Sequence, residues 1–347
     1  MKKIIITIIL LLTSGAIQTA TPATSEFSGY IAAESRLFLK DPILNAQKRD
    51  SASIAVRPEY YREWDSGSSF TFVPFARFDN ADKERSHFDI RELNYLHLAQ
   101  NWEIRIGIGK VFWGATEFVH LVDIINQTDL VESITEEEKL GQPMIHLSIP
   151  RDWGTVDMFV LPGFRERSFP GEKGRLRSAR VVDTDKTQYE SSDKERHVDF
   201  AIRYSRSIGN WDIGIYNFRG TDREPLLQLG ANDNGESVRI PYYSQINQTG
   251  LDLQKVTGPR LFKLEAAYRT GQEDDYFATV CGFEYTFINL KGTGIDLGII
   301  TETAYDERGS DATSGYNNDL MLGARLSLND AQSTEILAGL IHDIDTG

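Results

Sequence analysis

Two sets of residues in this chain have the types and spacing to do chemistry. The first is a pair. In "MIHLSIP", His146 and Ser148 stand two apart, so on a strand they share one face. A hydroxyl beside an imidazole can become an activated nucleophile. No third residue that would orient the imidazole is evident in the sequence. The bland reading is two polar side chains on a strand. The second set is Arg57, Arg77, Arg105, Arg203, Lys263, Arg269 and Arg325, each at an alternating position of an extended segment. An arginine fork suits carboxylates and phosphates, and rings of such cations favour anions in a water-filled passage. The bland reading is pairing across strands with acids on the same faces: Glu34, Glu59, Glu103, Asp157, Asp199, Asp212 and Glu265.

Other chemistries find little support. The oxygen-rich stretches around Asp306, Asp311 and Asp319, and around His342, Asp343 and Asp345, lack the spacing of a calcium loop. There is no zinc pattern, no phosphate-cradling glycine loop and no dinucleotide fingerprint, so no metal and no cofactor is expected. Cys281 is the single cysteine, which excludes an intrachain disulfide. A formal charge of -14 lacks the basic footprint of a nucleic-acid binder.

The elements that must position these residues are strands. From Phe27 onward the chain is a series of segments of alternating character. In "WEIRIGIGK", Trp102, Ile104, Ile106 and Ile108 oppose Glu103, Arg105, Gly107 and Gly109. The segments "HVDFAIRYS", "RLFKLEAAYR", "GIDLGIITE" and "NDLMLGARLSL" repeat the pattern. Further strands are expected near 27–39, 51–64, 69–79, 87–99, 143–149, 155–164, 211–218, 245–255, 276–287 and 333–343. The segment "DIRELNYLHLAQ" fits neither face cleanly. Short turns alternate with long connections at 111–141, 165–197 and 219–243. That layout, with apolar faces outward and aromatics at strand ends, is the signature of a transmembrane antiparallel β-barrel of the outer-membrane type. A soluble β-sandwich or propeller would also alternate. Arg and Glu interleaved with Gly and Ala on the polar faces favour a crowded wet lumen instead.

Lys2 and Lys3 precede an apolar run from Ile4 to Leu12, followed by small residues. This reads as a secretory signal over residues 1–23, cleaved near Ala20 or Ala23. Residues 24–347 form the barrel.

The stretch "GKVFWGATEFVHLVDIINQTDLVE" resembles a segment of large proteobacterial porin-like proteins, similar to the DUF1302 and alginate-export group. There a strand ends in Trp-Gly, an acidic residue follows, and an apolar run closes on Asp-x-x-Asn-Pro-x-Asp. The matches here are Trp113, Gly114, Glu117, Asp123, Asn126 and Asp129, with Gln127 in place of the proline. The resemblance extends through "FKLEAAYRTG", "GFEYTF", "TETAYDERGSDAT" and "NDLMLGARLSLNDAQSTEILAG". It implies a bacterial outer-membrane barrel of about 16–18 strands when intact, with C-terminal strands missing from this chain.

Phe118, Leu121, Val122 and Ile125 fall at helical spacing, so a short helix is expected inside 113–141. Glu117 in its first turn would suit the helix dipole. The segment is expected to fold into the lumen or cover its mouth. The function read from all this is passive passage of small hydrophilic solutes with anion preference, in contact with outer-membrane lipids and without catalysis. One rival is a phospholipase-like enzyme using His146 and Ser148. Another is a non-conducting barrel that binds lipid or polysaccharide.

Overall fold

The computed structural model describes residues 6–12, 25–133 and 135–345. Sixteen strands follow one another in one sheet. In chain order they are β1 (Ile6–Leu12), β2 (Ser25–Leu37), β3 (Ser51–Glu63), β4 (Ser69–Asp79), β5 (His87–Leu98), β6 (Glu103–Gly109), β7 (Gln142–Arg151) and β8 (Gly154–Pro162). After the two-residue β9 (Gln188–Tyr189) come β10 (Val198–Ile208) and β11 (Trp211–Thr221). β12 (Leu226–Ala231) and β13 (Ser237–Tyr243) intervene, then β14 (Gln245–Thr257), β15 (Arg260–Thr270), β16 (Tyr276–Phe287), β17 (Asp296–Asp306), β18 (Asn318–Ser327) and β19 (Glu335–Asp343). Every wall pairing is antiparallel between sheet neighbours, as in the ladder Lys263↔Gly282 and Gly282↔Glu302. β9, β12 and β13 form a separate three-stranded sheet within the long connections.

Among the described residues no helix is long and apolar enough to cross a membrane; the strands carry the crossing. Alternation turns each strand into a two-faced ribbon. Ile31, Ile54, Phe88, Ile106, Ile145, Phe200, Ile202 and Leu322 all stand exposed on the outer face. A continuous apolar band of this kind exceeds what a soluble monomer shows to water. The inner face is the reverse. Glu34, Arg77, Arg91, Asp199, Glu265, Arg269 and Glu302 are all buried there. Polar groups inside and hydrocarbon outside is the distribution a lipid solvent selects.

Three sequence expectations are revised, and the ambiguity of segment 87–99 is explained. Among the described residues of 113–141 no helix forms; the chain is extended and turned. The apolar side chains at helical spacing are buried by the lumen wall rather than by a helical stripe. The connection 219–243 contains the β12–β13 hairpin. The strand read in "WEIRIGIGK" runs from Glu103 and ends at Gly109. Segment 87–99 is one strand whose register shifts between Val73 and Pro74 of β4. The bulge leaves Arg91 as an extra residue and slips the in–out alternation there, and Pro74, which has no N–H to give, sits at that irregularity. The expected cleavage sites near Ala20 and Ala23 lie outside the described residues. Ile6–Leu12, within the expected signal, pairs with β2.

Candidate functional site

The inserted segment 110–141 crosses the interior, held at several walls. On one side Glu265 of β15 is fully buried and its Oε1 accepts the N–H groups of Ala115 (2.7 Å) and Thr116 (3.0 Å) and the Thr116 hydroxyl (2.6 Å). Its Oε2 accepts Val122 N–H at 3.3 Å. Glu302 of β17 takes the next two N–H groups, from Glu117 (2.7 Å) and Phe118 (3.0 Å). A loop inside a barrel has no ladder for its amides, and buried amides must find acceptors. Two inward carboxylates supply them, in bonds strengthened by charge.

Side chains extend the same anchor. The Glu117 carboxylate meets Arg325 at 2.5 Å and Lys263 at 3.5 Å. Burial opposes its charge, but Arg325 and Lys263 outweigh that and hold it below the ordinary carboxylate range. The Phe118 ring inserts over Gly323 and Gly339, which are direct partners across β18 and β19. A Cβ at either glycine would lie 2.9 Å from the ring. Only a side chain of hydrogen leaves that slot open.

Behind this anchor, Trp113, Val122, Ile124 and Ile125 pack on Met144, Phe159, Leu161, Tyr216, Phe218 and Ile246 from β7, β8, β11 and β14. The Trp113 ring lies 4.9 Å from Tyr216 and 5.6 Å from Phe159, with the Arg203 guanidinium 5.2 Å over it. At the base of the segment, Asn126 Nδ2 donates to the carbonyls of Gly109 and Leu140, both at 2.9 Å, and its Oδ1 accepts Val111 N–H. Asp123 accepts Trp113 N–H and lies 3.4 Å from Lys139; its burial pushes its pKa up, against the pull of Lys139.

The opposite wall is reached through ion pairs. Asp129 is fully buried and receives Arg91 of β5 at 2.6 Å and the Ser168 hydroxyl. Glu132 receives Arg77 of β4 at 2.7 Å, and Arg77 also reaches Glu34 of β2 at 3.2 Å. Arg85 closes this network onto Glu34 and Asp79. A segment fastened to β2, β4 and β5 at one end and to β15, β17 and β18 at the other requires those walls to face each other, as they do in a barrel.

All five constriction residues expected from sequence, Trp113, Glu117, Asp123, Asn126 and Asp129, therefore hold the segment in place. The remainder differs. Thr135, Glu136, Glu137 and Glu138 are exposed, and Glu136 adopts a left-handed backbone with φ of 64°. This arc borders a space of about 300 Å³ with Lys110, Phe112, His120 and Lys139. A second space of about 90 Å³, toward β14–β17, touches the same Thr135, Glu136 and Lys139. Beyond lies a vestibule of about 1000 Å³ between residues 166–185 and the β12–β13 hairpin.

The seven wall cations sit on inward-facing positions, and six have acidic partners. Arg57 pairs with Glu59 (3.2 Å), Arg203 with Asp252 (2.7 Å) and Arg269 with Asp222 (3.1 Å). Arg325 adds Glu284 at 3.3 Å, and Lys263 and Arg77 are paired as described. Arg105 has no ion pair among the described residues. Gly214 makes one such pair possible: a Cβ there would fall 2.1 Å from the Arg203 guanidinium and 2.5 Å from Asp252.

Sequence reasoning missed Arg85, Arg91, Glu132 and Glu302. Arg91 was hidden by the bulge. Glu302 was available, since it continues the inward face of Asp296, Gly298 and Ile300. His146 and Ser148 both face inward, but His146 Nε2 bonds to Asp157 Oδ1 at 2.9 Å and its ring stacks on Phe159 at 4.1 Å. No bond joins Ser148 to His146 among the described residues. Nor is any group of three or more His, Cys, Asp or Glu there arranged to hold a metal ion.

No family model matches the chain, and no curated protein matches it. Solved structures do. The chain is similar to the outer-membrane protein OmpT of Vibrio cholerae in its trimer form, with 12% identity and a TM-score of 0.51, over 92% of this chain and 88% of that one. The OmpT structure expressed in the outer membrane gives 10% identity and a TM-score of 0.50, over 93% and 88%. At such identities the likeness is one of fold. The architecture of this chain is that of the outer-membrane porins.

Proposed function

We propose that this chain is an outer-membrane pore for passive diffusion of small hydrophilic solutes, narrowed by the segment 110–141. The observation that carries the reading is the two-sided attachment of that segment across a polar interior, with an exposed arc at its middle. The fold shared with outer-membrane porins and the apolar outer band support the location. The attachment supports a constriction, because a segment fastened at both ends narrows a lumen without needing to move. Solutes pass through the space that Glu136, Glu137, Lys110 and Lys139 line together.

Anion preference, expected from wall arginines, loses its basis where those arginines are neutralised by partner carboxylates. In this reading the exposed arc governs selectivity, and Glu137, its one carboxylate with no ion pair among the described residues, gives weak cation preference, with Glu136 and Glu138 partly offset by Arg167 and Lys110. Catalysis is not part of the reading, since no hydrogen bond joins the Ser148 hydroxyl to the His146 imidazole among the described residues. The test is the reversal potential of the refolded chain in planar bilayers under a salt gradient. A weakly cation-selective potential that moves toward zero in Glu136→Gln/Glu137→Gln/Glu138→Gln supports the reading. A strongly anion-selective potential unchanged by those substitutions overturns the role given to the arc.

A further inference from the structure

On the long-loop side, the outer surface carries a group of residues that hydrocarbon cannot serve. On the outward face of β11 and β14, Asn217 Nδ2 donates to Asn247 Oδ1 at 2.7 Å and to Thr249 Oγ1 at 3.0 Å. The Asn247 amide donors have no acceptor among the described residues. Arg219, directly opposite Asn247 in the ladder, is exposed and has no ion pair there. Neighbouring outward positions are apolar or aromatic: Phe200, Ile202, Ile215 and Tyr268.

Height decides what this group meets. Trp211 and Lys255 are cross-strand partners at the short-turn rim, with the lysine ammonium 4.6 Å over the indole, an arrangement suited to a membrane interface. A strand tilted by about 40° rises ~2.5 Å per residue, so Arg219 sits ~20 Å above Trp211 in an apolar band of ~25 Å. Its guanidinium reaches the opposite headgroup boundary. Asn217 and Thr249 lie just beneath it, where an unserved amide is costly.

We propose that Arg219, with the amide of Asn247 positioned by Asn217 and Thr249, binds the phosphate-bearing head group of a lipid in the leaflet on the long-loop side. This rests on the outer-membrane reading above. Charge complementarity selects the occupant. Arg219 offers a planar fork of donors and Asn247 two more, which matches phosphate oxygens. A second copy of the chain packed on this face about a two-fold axis would set arginine against arginine, because the outward positions of β10, β11 and β14 hold no carboxylate. Of the carboxylates at the nearby rim, Glu190 is occupied by the Gln245 N–H at 2.6 Å, and Asp275 by the Tyr268 hydroxyl at 3.2 Å.

The experiment is native mass spectrometry of the refolded full chain from detergent micelles doped with phosphatidylcholine and diphosphorylated lipid A. Heat-modifiable gel mobility reports folding of each variant separately, and conductance reports the pore independently. Lipid A should be retained over phosphatidylcholine, and lipid A stripped of phosphate should not. Arg219→Ala should cut retention by about tenfold, the range of one charge-assisted hydrogen-bonding group. Asn217→Leu/Asn247→Leu should cut it less, and Lys255→Ala should leave it unchanged. Equal retention by Arg219→Ala and the parent chain, no preference for lipid A, or release as a dimer with this face buried would each overturn the proposal. Lost conductance with lipid retention intact would count against the pore and leave this site standing.

Discussion

The segment 110–141 has two arcs of opposite character. Residues 113–132 are fastened: their amides end on Glu265 and Glu302, their acids on Arg77, Arg91, Lys263 and Arg325, and their apolar side chains on the wall. Residues 135–138 are exposed, with a single left-handed kink at Glu136. Charge is used differently in the two. In the fastened arc each carboxylate is buried with its partner, so removing one partner strands the other in a medium that cannot solvate it. In the exposed arc, Glu138 meets Lys110 only at 3.8 Å and water serves Glu137, and their charge acts at range on whatever passes. The same residue type is a fastener where it is dry and a filter where it is wet.

Breaking the fastened arc should have the largest effect. Glu265→Ala leaves the amides of Ala115, Thr116 and Val122 without an acceptor. At about 1–3 kcal/mol for each stranded buried group, several kcal/mol of anchoring are lost. The expected outcome is a raised single-channel conductance and new protease cleavage within 113–125, with the strand content by circular dichroism retained. Next is Gly323→Val, which fills the Phe118 slot. Overpacking of this kind costs about 1–3 kcal/mol, and a lowered unfolding temperature should measure it. Phe118→Ala in the same background should recover part of the loss.

A milder loosening should follow acidification. Glu117 has a pKa depressed below its ordinary 4.5 by Arg325 and Lys263, after burial has worked against it. A depressed carboxylate stabilises above its ordinary value and loses that contribution as pH falls through the folded one. Conductance should therefore be steady above about pH 5 and grow noisier below about pH 4, and Glu117→Gln should abolish that dependence. The smallest effect on stability belongs to the exposed arc. Glu137→Gln and Glu138→Gln should shift unfolding by no more than about 0.5 kcal/mol, yet move the reversal potential measurably.

The wall was legible in sequence because alternation is imposed by backbone geometry and one face meets a uniform solvent. Ile106 out and Arg105 in follow from parity alone. Where a second cause intervenes, parity fails. In β5 the bulge opposite Pro74 shifts the phase, so "DIRELNYLHLAQ" resists assignment and Arg91, a principal fastener, is lost. The inserted segment was legible as inserted, since its pattern breaks, but its conformation was not. Phe118, Leu121, Val122 and Ile125 share a helical spacing, yet Phe118 and Leu121 pack on Val280, Ala304 and Met321 while Val122 and Ile125 pack with Met144, Phe159 and Tyr216. Helical spacing marks one buried face only when nothing surrounds the chain on several sides. The β12–β13 hairpin escaped because its strands pair within a connection, with no membrane to enforce alternation. The pairing state of the arginines could not be read, because it depends on which neighbours the register brings opposite.

The measurement that bears most directly on the account is single-channel conductance of the refolded chain against Glu265→Ala/Glu302→Ala. The account predicts discrete small steps from the parent and distinctly larger steps from the double variant, whose diaphragm has lost its acceptors. Equal steps from both folded proteins, or no steps from either, would contradict a constriction held in place by those two carboxylates.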